Sequence, residues 1–166
     1  MQQSGSREER LDRLERRAGD YEELYGSCAQ GTLLALQEEF SLGDKQTLKA
    51  ATAMPGIALR GETCGAVIGA IMALGMVFGR EKPDDFDAVQ RTTKAARKLC
   101  RRFEQEFGGC NCREVQHRIF GRSYNVADPA ESMEFIKAGA AQKCRAPAEK
   151  AARIAGELIL DNLEKA

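Results

Sequence analysis

The sequence predicts an all-α fold, a compact helix bundle in a single domain covering residues 1–166, and three observations predict it. Apolar residues recur at steps of three and four along most of the chain, the spacing that gathers them on one helical face. No stretch alternates apolar and polar residues as a half-buried strand would. Capping residues, prolines and glycines fall between the periodic segments, where helices start and stop.

Each element follows from these signals. Arg7 to Tyr25 places Leu11, Leu14, Ala18, Tyr21 and Leu24 on one face, and Glu and Arg cover the rest, many spaced for ion pairs one turn apart. A second helix runs from Ala29 to about Phe40, with Leu33, Leu34 and Leu36 as its apolar side. A third follows Asp44, a good N-cap, and continues to about Met54, where Pro55-Gly56 stops it. The fourth, from about Cys64, is apolar almost all round and is expected to be the central, fully buried helix. Its glycines, Gly65, Gly69, Gly75 and Gly79, lower helix propensity but admit a neighbouring backbone. Pro83 is expected to open a long helix to about Phe107, with Phe86, Val89, Ala96, Leu99, Cys100, Phe103 and Phe107 as its core stripe and Gly108-Gly109 as its stop. A short helix follows from Cys112 to about Phe120. Asp128-Pro129 starts the next, through Met133, Ile136 and Ala140. The last begins near Pro147 and carries Ala148, Ala152, Ala155, Ile159 and Leu163. Met1 to Ser6 is expected to be disordered.

Composition narrows the function. The 25 basic and 25 acidic side chains cancel, so no nucleic acid partner is expected. The N-terminus lacks the apolar core of a signal peptide. The most apolar stretch, Gly65 to Phe78, has 14 residues against the roughly 20 that span a bilayer, so no membrane insertion is expected. A cytoplasmic location follows as the expectation, and disulfides seldom serve as permanent staples there. Six cysteines therefore need another role, and a conventional substrate pocket is not expected.

Four of the six lie at expected helix starts. Ser27 and Asn111 precede Cys28 and Cys112, with Gln30 and Glu114 in capping-box register. Thr63 precedes Cys64 as a good cap, and Cys144 lies between Lys143 and Arg145, three residues before Pro147. Free N–H groups and the helix dipole stabilise an anion there. These thiols are therefore expected to ionise below the free value of about 8.5. The same placement suits attack on a disulfide and binding of a metal. Cys100, on the core stripe, reads as a small buried hydrophobe, and its neighbours Lys98, Arg101 and Arg102 as a solvated face. Cys110, in a C-x-C pair with Cys112, is intermediate.

Cys64-Gly65-Ala66-Val67-Ile68-Gly69 resembles the C-G-A-x-x-G signature of the redox-active C_GCAxxG_C_C family. Cys28-Ala29-Gln30 is similar to the surroundings of that family's first cysteine, Asn111-Cys112-Arg113-Glu114 to those of its third, and Cys144 to its fourth. The resemblance runs from about Tyr21 to Leu163. It implies a small helical protein in which Cys28, Cys64, Cys112 and Cys144 are redox thiols. A related domain occurs in split-Soret cytochromes, which implies that the same four could instead hold an iron–sulfur cluster; Cys100 and Cys110 are additional to the family's four, and Cys110 could supply an extra ligand or a resolving thiol. Haem is not carried over: the chain has no C-x-x-C-H, and its one histidine, His117, follows no such pair. Gly31 departs from the family pattern, in which a better helix former is usual.

Three readings stay open. In the first, thiol–disulfide or electron-transfer chemistry serves an unknown redox partner protein, with Cys64 attacking and a second thiol resolving. In the second, four thiolates hold an iron–sulfur or other metal site, and the wide gaps argue against zinc ribbons. In the third, the chain is a helical interaction or scaffold protein with structural cysteines. The glycine face of the fourth helix would then meet a second copy in a homodimer, although packing within the chain explains that face better. Other chemistry finds little support: there is no phosphate-binding loop, His117 reads as a surface or capping residue, and Glu38, Glu39, Asp84 and Asp85 read as solvated helix ends.

Overall fold

The computed structural model describes residues 5–164, and the disorder expected of Met1 to Ser4 lies outside them. The described residues are all-α. The elements are α1 (Arg7–Tyr25), α2 (Cys28–Phe40), α3 (Lys45–Ala50), α4 (Gly56–Leu59), α5 (Gly65–Phe78), α6 (Phe86–Phe107), α7 (Cys112–Phe120), α8 (Pro129–Lys137), α9 (Ala140–Lys143) and α10 (Arg145–Leu163). Among the described residues there is no strand. A single antiparallel bridge joins Thr63 to Asn111.

Local chemistry sets the helix ends. Ser6 caps α1 in a capping box with Glu9. Asp44, Asp85 and Asp128 accept hydrogen bonds from first-turn N–H groups of α3, α6 and α8. The Asp85 cap explains why α6 begins at Phe86 and not at Pro83. α3 ends at Ala50, and single turns carry the chain on to Pro55. α10 begins at Arg145, two residues before Pro147.

α1 packs on α10 and α2, α2 on α5, and α10 reaches α2, α5 and α6. Leu14, Leu33, Leu36, Leu74, Leu99 and Phe103 are fully buried between them. The closest approach is α2 against α5: a Cβ at Gly69 would collide with the Ala29 carbonyl oxygen. A similar contact joins α1 to α2, where a Cβ on Gly31 would lie 3.0 Å from the Glu22 backbone nitrogen. Gly31 thus lets α1 come close at Glu22.

The structure corrects several expectations. The inner stripe of α6 is Ala88, Ala95, Leu99, Phe103 and Phe107. At roughly 100° per residue, Phe86 and Val89 are turned off that line, and Phe86 is 69 % exposed. On α1 the four-residue step from Ala18 falls on Glu22, which is 6 % exposed, while Leu24 is 70 % exposed. Met133, Ile136 and Leu163 are also exposed. α5 is not buried all round: Ile68, Ile71, Met72 and Met76 are half-buried. Glu39 is not a solvated helix end. It is 1 % exposed and is held by Arg10 at 2.7 Å and Arg13 at 3.0 Å. The charges of α1 pair with other helices and not with one another: Arg153 of α10 meets Glu8, Asp12 and Glu15, and Arg145 meets Asp20 and Glu23.

The α2–α5 contact gives two glycines of one helix opposite roles. Gly69→Ala should lower stability by about 1–3 kcal/mol, because the α2 backbone must move. Gly75→Ala, whose Cβ would meet nothing within 4 Å, should raise it by about 0.5–1 kcal/mol through helix propensity. Urea unfolding of the two variants checks this, and equal effects would contradict the close crossing.

Candidate functional site

Two segments deliver two of the cysteines together. Around the Thr63–Asn111 bridge, the Cys64 N–H donates to the Cys110 carbonyl (2.8 Å) and the Cys112 N–H to the Glu62 carbonyl (2.6 Å). This ribbon fixes Cys64 at the foot of α5 beside Cys112 at the foot of α7. Cys28, the first residue of α2, comes from the opposite side. A Cβ on Gly65 would lie 2.6 Å from the Cys28 sulfur and 2.9 Å from the Ala29 nitrogen. Gly65 thus makes the space in which that sulfur sits. Cys144 arrives at the junction of α9 and α10.

All four line one cavity of about 110 Å³, together with Glu22. Its other walls include Leu59, Val115, Ile119, Phe120, Phe135 and Pro147. The volume is small against the roughly 300–1,000 Å³ of pockets for small-molecule ligands. Phe120, Tyr124 and Phe135 stack on one another and hold α8 against α7 at this wall.

A strained turn forms the remaining side. In α4, Gly56, Ile57, Ala58 and Leu59 all have left-handed φ, of 55°, 48°, 57° and 63°. Each non-glycine residue there costs roughly 1–2 kcal/mol. Backbone strain of this kind concentrates at functional sites. Here it brings Leu59 into the cavity wall and returns the chain through Gly61 to the ribbon.

The electrostatics reverse what the helix starts suggested. Cys28 is pushed well above its ordinary value by its hydrogen bond to Cys64, then by burial, with the Ala66 N–H at the start of α5 acting the other way. Burial pushes Cys112 up to about 11, opposed by the Gln116 side-chain amide, which donates to its sulfur at 3.3 Å. Cys144 is raised too, by burial and then by Glu22. Helix N-termini are present, but desolvation in an apolar cavity outweighs them. The caps also differ. Cys64, not Thr63, is the N-cap of α5. Ser27 makes no side-chain cap bond, and Gln30 instead reaches Leu48 and Thr52. The Asn111–Glu114 capping box does form.

Glu22 was not singled out in the sequence. One of its carboxyl oxygens is buried without a hydrogen-bond partner, and burial pushes its pKa up to about 8. The cavity wall contains no Lys or Arg. Gln116 was missed as well. It is 2 % exposed, and its Oε1 accepts from the Tyr124 N–H at 2.6 Å while its amide holds Cys112. Its sequence signal was the four-residue step from Cys112.

Cys100 and Cys110 do not line the cavity. They face each other: Cys110 Sγ lies 3.8 Å from the Cys100 carbonyl oxygen, and the hydrogen bond between the thiols brings Cys100 down to about 7 and pushes Cys110 up. Cys100 is half-buried and packs against the core, and it lies beside Cys110. All six cysteines are free thiols. Among the described residues, no three His, Cys, Asp or Glu side chains converge on a point that a single metal ion would occupy, and no helix is long and apolar enough to cross a membrane. His117 is exposed on α7.

The profile of the family described as "Putative redox-active protein (C_GCAxxG_C_C)" matches residues 26–158. No curated protein and no solved structure gives a significant match.

Glu22 makes stability depend on pH in a defined window. The folded chain keeps this proton up to about pH 8, whereas the unfolded chain loses it near 4.5. Stability should therefore fall between those two values by up to about 1.4 kcal/mol per pH unit and level off above them. Glu22→Gln, neutral at every pH, should flatten that slope, leaving the variant the more stable protein at about pH 8. Urea midpoints across the window test this, and parallel slopes for variant and parent would refute it.

Proposed function

We propose that this chain, which belongs to the C_GCAxxG_C_C family of redox-active proteins, does its redox chemistry at the cavity lined by Cys28, Cys64, Cys112 and Cys144, with Cys28 and Cys64 as the pair that oxidises first. The observation that supports this reading is convergence. Each cysteine lies more than thirty residues from the next, yet all four meet at one small cavity beside a carboxyl oxygen that has no partner. Buried cysteines that merely filled a core would not need to share a cavity.

The chemistry is thiol–disulfide exchange with a disulfide-bearing partner protein. The Cys64 sulfur attacks one partner sulfur and the other leaves as a thiolate. The Cys28 sulfur then attacks Cys64 and releases the second partner sulfur. A Cys28–Cys64 disulfide forms, the partner leaves as a dithiol, and both electrons and both protons pass to it. Glu22, up at about 8, gives or takes a proton near neutral pH at the sulfurs. Gln116 holds the Cys112 sulfur by its amide.

A second reading is favoured by the shape of the donor set. Four cysteines, each far from the next in sequence, line one cavity. That arrangement fits a polynuclear iron–sulfur cluster better than a zinc ion. Cys28, Cys64, Cys112 and Cys144 would hold it, and the apolar wall would keep water away. Bound there, it would supply one-electron transfer.

The two readings part on protein purified without air. Absent iron, with a reversible two-electron oxidation that consumes two thiols and is lost in Cys28→Ser and in Cys64→Ser, supports the dithiol. Stoichiometric iron and acid-labile sulfide, lost in Cys112→Ser, support the cluster. If Cys64→Ser changes neither redox titration nor metal content, both fail and the cysteines are structural.

A further inference from the structure

The thiols outside the cavity form a set of their own. Gly108, with a left-handed φ of 81°, ends α6 and reverses the chain. Cys110 therefore runs back beside the last turns of α6 and meets Cys100. Its thiol donates to the Cys100 carbonyl oxygen at 3.8 Å, which sets the two side chains beside each other. Both residues are partly exposed, unlike Cys64. Neither touches the four-cysteine cavity.

We propose that Cys100 and Cys110 are a second redox site, a dithiol that a small-molecule disulfide converts to an intramolecular disulfide. Cys100 is the attacking group. Its sulfur bonds to one sulfur of the small disulfide, and the other sulfur leaves as a thiolate that takes the Cys100 proton. Cys110 then attacks the Cys100 sulfur, and the second small thiol departs with the Cys110 proton. One disulfide is consumed, two thiols are released, and the chain has lost two electrons and two protons. The hydrogen bond from Cys110, which favours the Cys100 thiolate, supports this order.

The placement gives the pair a connection to the cavity. The Cys110 carbonyl receives the Cys64 N–H, and Cys112 lies two residues further on. The backbone at Cys110 is thus shared between the two sites, while their sulfurs are separate. The proposal goes beyond the cavity chemistry and stands whether or not that chemistry is correct.

The test uses the full chain and oxidised glutathione as the probe. After timed exposure, free thiols are alkylated and the digested protein is mapped by mass spectrometry. The expected product is a Cys100–Cys110 disulfide that forms about tenfold faster than any oxidation of Cys28, Cys64, Cys112 or Cys144. Cys110→Ser should accumulate a glutathione adduct on Cys100, and Cys100→Ser should give about tenfold less adduct on Cys110. The pair should also oxidise at an unchanged rate in Cys28→Ser, a variant that disables the cavity dithiol. A Cys100–Cys110 pair that stays reduced in the parent protein while the cavity cysteines oxidise would overturn the proposal. So would oxidation that is lost in Cys28→Ser, since the pair would then act only through the cavity.

Discussion

The close crossing of α2 over α5 is the constraint on which the rest of the molecule depends. At Gly69 the α5 helix lies against the Ala29 carbonyl, and one turn earlier Gly65 leaves the volume that the Cys28 sulfur fills. Any side chain at either position would push α2 outward. Cys28 would then leave the start of α5, and the Cys28–Cys64 hydrogen bond would be lost. The C-G-A-x-x-G signature is therefore a packing statement as much as a chemical one. Its cysteine supplies a sulfur, its glycines admit a second helix, and Ala66 offers an N–H to the sulfur that helix brings.

The same tight packing explains the charge distribution. α1 approaches α2 at Gly31, which pins the Glu22 backbone over the cavity. The acids on either side, Asp20 and Glu23, reach Arg145 on the surface. Glu39 is as deeply buried as Glu22, yet Arg10 and Arg13 hold it. Among the described acids, Glu22 alone has burial without a counter-charge, and a buried carboxylate without a partner is costly enough that it keeps its proton instead. A neutral acid is consistent with its neighbours Cys28, Cys112 and Cys144, whose thiols are all shifted toward the neutral form.

The helices and the four cysteines were legible in the sequence because both are local signals. Period, caps and stops such as Gly108 fix helices without reference to the rest of the chain. Cys112–Phe120 was read to the residue. What failed were properties set by neighbours. Phe86 and Val89 are apolar, but the stripe that packs on α5 is turned away from them. Glu39 looks like any helix-end acid until α1 brings two arginines to it. The thiol shifts were read from helix position, a local field, whereas the neighbouring thiol decides that of Cys28 and burial decides those of Cys112 and Cys144. Glu22 was hidden for a related reason: its four-residue step from Ala18 marked it as inward-facing, but a charged residue on an apolar stripe is ordinarily assigned to the rim.

The ribbon between residues 62–64 and 110–112 settles how the parts of the site can move. Its backbone hydrogen bonds fix Cys64 relative to Cys112, since breaking them would orphan buried N–H and carbonyl groups at a cost of about 1–3 kcal/mol each. Cys28 and Cys144 belong instead to helix starts on the other side. A change in the separation of Cys28 and Cys64 must therefore be a shift of α2 against the ribbon. Gly69 blocks that shift in one direction, because the Ala29 carbonyl already rests on it. The turn of α4 packs beside the ribbon, and its left-handed residues are held in place by the structure around them and not by their own preference. The rigid ribbon and the strained turn lie on either side of Gly61. The chain has thus placed a hydrogen-bonded ribbon and its left-handed turn next to one another, at the wall of the cavity that the four cysteines line.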